Sequence, residues 1–209
     1  MRPSEFVQCA GYPCSDVDHR GYAVPGIDLD PGRVRIVMIS EAAPAKASDR
    51  YYAGADSLFE STTIQAFKDA GASVSSFRDI LDLGVYLTTT VKCGKIGYGI
   101  ETSTVKQCSR LLEGELALFP KAQVLMLMGD AAIKALNEIA RRNKQPRVIP
   151  AGSTYKIRGA EYRYKGIRVF PSYLQAGPSF FIERSKRRMI AEDIGKALTL
   201  VGPGTSELL

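Results

Sequence analysis

Tyr86-Leu87-Thr88-Thr89-Thr90-Val91-Lys92-Cys93 is a β-branched run that ends in a thiol and passes into the loop Gly94 to Gly99. β-Branched side chains fit a pleated sheet and lose rotamer freedom in a helix, so the run predicts a buried strand over Val85 to Val91. Its polar end would carry hydroxyls and a cysteine to the carboxyl edge of a sheet, where open α/β folds place their sites. A core strand followed by a plain polar turn gives the same pattern, so the neighbouring segments have to decide.

Working outward, Val34 to Ile39 is a second β-branched run, bracketed by Gly32 and Ser40. It leads into the small-residue loop Ser40-Glu41-Ala42-Ala43-Pro44-Ala45, where Glu41 is the one charge. Small side chains let a ligand approach the backbone closely. Ser57-Leu58-Phe59-Glu60 predicts a capping box opening a helix that Gly71 ends. Tyr51 and Tyr52 sit just before it, placed either to stack on a ligand over the loop or to pack. Beyond the central run, Thr102 or Ser103 is expected to cap a helix whose stripe of Val105, Cys108, Leu111, Leu112 and Leu116 turns Cys108 inward.

Val124 to Met128 predicts a third strand, Gly129-Asp130 a turn, and Ala131 to Arg142 a helix. Gln145 to Gly166, rich in Lys, Arg, Tyr and Gly, fits either a small hairpin or an irregular excursion. Ile167 to Phe170 predicts the last strand, and the loop Pro171 to Ser179 precedes a helix over Phe180 to Leu200. Strands separated by helices, with no internal repeat, predict a three-layer α/β/α domain around a mainly parallel central sheet. That single domain is expected over 1–203, with 204–209 as a tail.

A chain of 209 residues that is 45% hydrophobic fills one core. Lys and Arg exceed Asp and Glu by 28 to 22, which permits a polyanionic partner without requiring one. The last helix carries Arg184, Lys186, Arg187 and Arg188 in its first turns, against its dipole, so solvent or a phosphate backbone must offset them. The longest apolar runs are too short to span a bilayer and the start has no signal-peptide core, so the reading is cytoplasmic, with no membrane partner.

The cysteines fall into two pairs, Cys9-x4-Cys14 and Cys93-x14-Cys108. Cytosolic thiols are kept reduced, which disfavours structural disulfides. Four thiols beside a single histidine, His19, suit an iron-sulfur cubane or a four-cysteine zinc site, with simple burial as the alternative. Residues 1–33 are rich in proline and glycine. A metal shared with Cys93 and Cys108 would tie this N-terminal arm to the body.

Taken in order, the strand, the loop with Glu and Pro, the aromatic before a helix, T-x-x-V-K-C, a second Cys on the next helix, G-D-x-A and P-S-Y-L resemble the iron-sulfur uracil-DNA glycosylases of the family-4 type. The resemblance runs from about Cys9 to Leu198. It implies the uracil-DNA glycosylase-like fold, a 4Fe-4S cluster on Cys9, Cys14, Cys93 and Cys108 (zinc being the alternative), and DNA as the partner of a monomer. It implies a base pocket at Ala42, Ala43, Pro44, Tyr52, Thr89 and Phe170, with Glu41 as the candidate for holding water or steadying the sugar cation. Ser172, Arg184, Lys186, Arg187 and Arg188 would lie near the DNA backbone.

The chain also departs from that pattern. The first cysteine spacing is wider than the usual x2, and an extra residue separates Glu41 from Pro44. Thr89 stands where the family strand has its Asn, and Phe170 where H-P-S has its His. Losing one preorganised donor costs about a hundredfold or more in rate. Two functions therefore stay open: a base-excision glycosylase that flips uracil or another modified base, or a catalytically degenerate, cluster-bearing nucleic-acid binder. An unrelated small-molecule function on the same fold is a third. His19 is expected to be structural or exposed.

Overall fold

Ile36 and Met38 face one way from their strand and Val37 and Ile39 the other, and all four are buried. A strand buried on both faces reads as an unbroken apolar run, which is why these segments lack alternation. The computed structural model describes residues 1–54 and 57–202; the expected tail at 204–209 lies outside them. The strands are β1 (Val17–Asp18), β2 (Ile36–Ala43), β3 (Val85–Lys95), β4 (Val124–Met128), β5 (Tyr162–Tyr164) and β6 (Ile167–Ser172). The helices are α1 (Leu58–Asp69), α2 (Phe77–Asp82), α3 (Thr102–Leu116), α4 (Asp130–Arg142), α5 (Thr154–Ile157) and α6 (Arg184–Val201).

One six-stranded sheet has the order β1-β3-β2-β4-β6-β5. Its four central strands are parallel, and the short β1 and β5 run antiparallel at the two edges. One apolar layer joins Val37, Ile39, Leu125 and Leu127 to α3 and α4; the other joins Met38, Leu87, Met126 and Phe170 to α1, α2 and α6. This is the expected three-layer α/β/α arrangement. From β2 the chain moves outward to β3, then returns to build β4 on the other side. The carboxyl ends of β2 and its neighbours therefore form the crevice where such sheets hold ligands.

Register breaks at one place that matters: Ala42 pairs with Val91, but Ala43 pairs with Gly94. The two extra residues on β3, Lys92 and Cys93, form a bulge that re-aims their side chains. β2 and β6 also outlast their expected ends, because Ser40 to Ala43 and Pro171-Ser172 continue the ladder beside a central strand.

Three helix starts differ from expectation: Glu101, not Thr102 or Ser103, stands at the N-cap of α3, α6 begins at Arg184 and not Phe180, and the capping box of α1 is incomplete. Ser57 does cap α1 by accepting the Glu60 amide, but the Glu60 carboxylate accepts the Gly54 amide at 3.4 Å instead of closing the box. The complete capping box belongs to α2: Ser76 Oγ accepts the Asp79 amide at 3.2 Å, and the Asp79 carboxylate accepts the Ser76 amide at 2.9 Å. The amide and hydroxyl of Ser75 also donate to Asp79. These bonds, that from the Ser75 amide foremost, hold the Asp79 carboxyl below its ordinary range. Its folded-state pKa is depressed, so its contribution is present above the unfolded value of 3.8 and is lost as pH falls through the folded value. Ser76→Ala should lower stability in urea titrations at pH 7 by about 1 kcal/mol. Asp79→Asn should flatten the loss of stability on acidification from about pH 5 to pH 3; an unchanged acid limb would refute this account of the box.

Candidate base pocket and cysteine cluster

A cavity of about 250 Å³ opens where the N-terminal arm crosses the carboxyl ends of β2 and β3. Ala43 and Pro44, Tyr52 and Thr89 line it, together with Ala23 to Ile27 of the arm, Arg50, Tyr51, Phe59 and Thr88. Four of the six expected pocket residues are thus brought together. Ala42 is instead buried in the α3/α4 layer, and Phe170 in the opposite layer, where the Arg168 guanidinium lies 4.4 Å from its ring centroid. Phe170 does not border this cavity, because it pairs with Met126 two positions short of the strand end.

The cavity wall is rigid for identifiable reasons. Tyr51 shares a hydrogen bond with Ser40 Oγ, accepts another from Gln175 Nε2 at 2.8 Å, and packs edge-on against Phe59. Burial pushes its hydroxyl up to about 12. Tyr52 has φ 62°, the left-handed region that a bulky residue seldom adopts. In that conformation its hydroxyl accepts the Leu87 amide at 2.9 Å, on the side of β3 that no strand covers at that height. The ring stays half-buried at the cavity while burial of the hydroxyl raises its pKa. Thr89 donates to Val91 O at 3.0 Å.

Glu41 lies on a second cavity of about 240 Å³, between β2 and β4, shared with Gly129, Tyr173, Lys186 and Arg187. A Cβ at Gly129 (φ 103°) would come within 2.7 Å of Glu41 Oε1, so only glycine lets the carboxylate lie here. Lys95 Nζ stands 3.8 Å from Glu41. Ser172 does not reach the surface: it is fully buried and donates to Asp193 at 2.6 Å, which Arg158 also grips. Of the basic residues on α6, Arg187 pairs with Asp69, Lys186 with Glu183 and Arg188 with Glu192. Arg184 is exposed, with no ion pair among the described residues.

Behind the cavity lies a buried ion pair that the sequence reading missed. Lys92 and Glu115 are both fully buried and bonded to each other. Lys92 also donates to Thr88 Oγ1 at 2.8 Å and to Thr89 O, while Glu115 accepts from Tyr86 at 2.6 Å and Thr88 at 2.8 Å. The signal was present: Glu115 falls on the stripe of Val105, Cys108 and Leu112, where an apolar residue belongs.

Cys93 and Cys108 are buried and Cys9 and Cys14 half-buried, all as free thiols. Burial, reinforced by Cys108, Cys9 and Cys14, pushes the Cys93 thiol up to about 12. Burial raises Cys108 to about 11. Among the described residues, no group of three or more His, Cys, Asp and Glu side chains is placed to share a single metal ion. His19 is half-buried, neither exposed nor remote: its Nδ1 lies 3.4 Å from Cys93 Sγ. The arm is held by Asp16, which accepts the Glu101 amide at 2.7 Å and the Thr104 hydroxyl at the start of α3. It also approaches so closely that a Cβ on Gly21 would meet Gly94 N at 2.7 Å.

A doubly wound α/β sheet with a small, aromatic-walled cavity at its carboxyl edge defines the class of protein. Residues 27–192 match the family model described as Uracil DNA glycosylase superfamily, and the chain belongs to that superfamily. A curated relative, the Type-5 uracil-DNA glycosylase of Thermus thermophilus, is 27% identical over 124 residues, which is 59% of this chain and 54% of the relative. The chain thus spans about half the length of the curated relative it matches. Among solved structures, the wild-type UNG crystal structure from Nitratifractor salsuginis aligns with 85% of this chain and 81% of that one, at 15% identity and a TM-score of 0.37.

The buried pair gives the site a direct stability test. Removing one partner strands a charge in the interior, so Lys92→Met or Glu115→Gln alone should cost about 3–5 kcal/mol in urea unfolding. The double variant should recover most of that, since the amide oxygen introduced by Glu115→Gln would still accept from Tyr86 and Thr88. A double variant as unstable as the sum of the singles would show that the two side chains act independently.

Proposed function

We propose that the protein is a DNA base-excision glycosylase that flips uracil or another modified base into the cavity beside Ala43, Pro44, Tyr52 and Thr89 and hydrolyses its N-glycosidic bond. The observation that carries this reading is the cavity itself, set at the sheet's carboxyl edge in a chain of the uracil-DNA glycosylase superfamily. At about 250 Å³ it is smaller than the usual range for drug-sized ligands and suits a single heterocycle. Ala43 and Pro44 allow close backbone approach, Tyr52 offers an aromatic face, and the Thr89 hydroxyl borders the base edge. Glu41, in the second cavity, is assigned to the water or the sugar cation, and Arg184 to the phosphate backbone. The protein would bind DNA as a monomer.

Cys9, Cys14, Cys93 and Cys108 are assigned to a 4Fe-4S cluster. The donor set of four thiols fits a cluster, which spreads its thiolates over several irons. The group would serve as a structural tie, because excision of a base moves no electrons between sites. On this reading 1–203 is one domain whose arm, 1–33, is fastened by the cluster. A second reading, a binder without excision, draws on the Thr89 hydroxyl being engaged by its own strand and on Phe170 lying away from the cavity.

Oligonucleotides carrying uracil, hypoxanthine, xanthine or an oxidised base, treated with protein and then alkali, separate the two readings. Cleavage is expected at a deaminated base, and Ala43→Leu, which fills the cavity, should slow it about a hundredfold. Retarded but uncut DNA, from protein with its cluster intact, would leave the binder. Anaerobically purified protein should contain iron and show broad visible absorption. Cys93→Ser should lose both and expose residues 9–27 to protease; wild type without iron under those conditions would contradict the cluster.

A further inference from the structure

Arg50 stands on the cavity wall just ahead of the cap of α1. Its backbone is fixed, because its carbonyl accepts the Ser57 hydroxyl. Its Nη2 lies at the arm, 3.5 Å from where a Gly21 Cβ would stand. The side chain has no carboxylate partner among the described residues, unlike the partly buried Arg142 and Arg158, which grip Glu113 and Asp193. Its Nε is buried, with no hydrogen-bond partner among the described residues.

A permanent cation on a cavity wall is costly to leave without a counter-charge, so Arg50 marks a place where a ligand in the cavity completes the pairing. The ligand must be an acceptor and is best an anion. Val24, Pro25, Ala43, Pro44 and Phe59 give the wall apolar surface for a ring, beside Tyr51, Tyr52, Thr88 and Thr89. A base that departs with negative charge on its ring satisfies both demands.

We propose that Arg50 is a catalytic residue whose guanidinium holds the negative charge that builds on the base as it leaves. The inference rests on the glycosylase reading above. In the step it serves, the bond from C1′ to the base nitrogen breaks and its electron pair goes to the base. Water oxygen then bonds to C1′, and the proton that water loses balances the charge on the released base. Arg50 transfers no proton. Preorganised charge in a water-poor site is worth most where charge develops, which is the base and not the neutral substrate.

Single-turnover excision by wild type, Arg50→Lys, Arg50→Gln and Arg50→Met tests this, with thermal melts to verify that each variant folds. Loss of the charge should slow uracil release about a hundredfold or more, and Arg50→Lys should keep part of the rate. The loss should shrink for 5-fluorouracil, whose fluorine already stabilises the anion. An unchanged rate, or equal losses for both bases, overturns the proposal. So does weaker binding of DNA carrying an abasic site with an unchanged rate at saturation, which would place Arg50 on a phosphate. If wild type excises no base, the glycosylase reading fails and Arg50 is tested by binding of free 5-fluorouracil. Binding that strengthens as the base ionises, in wild type and Arg50→Lys but not in Arg50→Gln, supports the anion role; binding indifferent to ionisation overturns it.

Discussion

The ion pair of Lys92 and Glu115 is the constraint on which the rest of the site depends. Two charges taken wholly out of water gain little net stability from each other, and such a pair persists only when every remaining donor and acceptor is met. Here Thr88, Tyr86 and the Thr89 carbonyl meet them. The result is geometric. The tip of β3 is pinned to α3, and that tip carries Thr88 and Thr89 toward the cavity and Cys93 toward Cys108. One polar knot thus sets the position of the cavity floor and of half the thiols.

The central sheet was legible because its strands are short, continuous apolar runs buried on both faces, and these runs are bounded by glycine, proline and small polar residues. What escaped was mostly local and brief. α2 is six residues long, under two turns, too few to show a period. The β5–β6 hairpin turns on Lys165-Gly166, both with positive φ, where lysine gives little turn signal. Gly21, Arg50 and the wall of Ala23 to Ile27 owe their place in the site to an arm folding back across the sheet, and no local pattern encodes that. The cysteines and the small-residue loop were readable because their chemistry is rare enough to stand out. Glu115 was overlooked although a carboxylate on an apolar stripe is itself a signal.

Phe170 and Ser172 are both committed to fastening β6 into the body of the protein. Both lie on β6 in register with Met126 and Met128. Phe170 packs into the layer beneath α6, and Ser172 joins Asp193 and Arg158 to fasten that helix to the sheet. Burial pushes the Asp193 carboxyl up, while Arg158 and Ser172 oppose that shift. Arg142, Arg158 and Arg187 each hold a carboxylate, and such pairs leave the formal charge of +6 unchanged.

The contact of Gly21 with Gly94 bears on the order in which the molecule can be assembled. His19 and Cys93 meet across 74 residues of chain, and Ala23 donates its amide to Lys92 O. During synthesis the arm emerges early, yet its docking surface exists only after β3 has entered the sheet and α3 has closed over it. Contacts so distant in sequence form late, since their loop entropy is repaid only once the intervening structure is in place. The arm supplies one wall of the cavity, so the nascent chain acquires its sheet first and its pocket last.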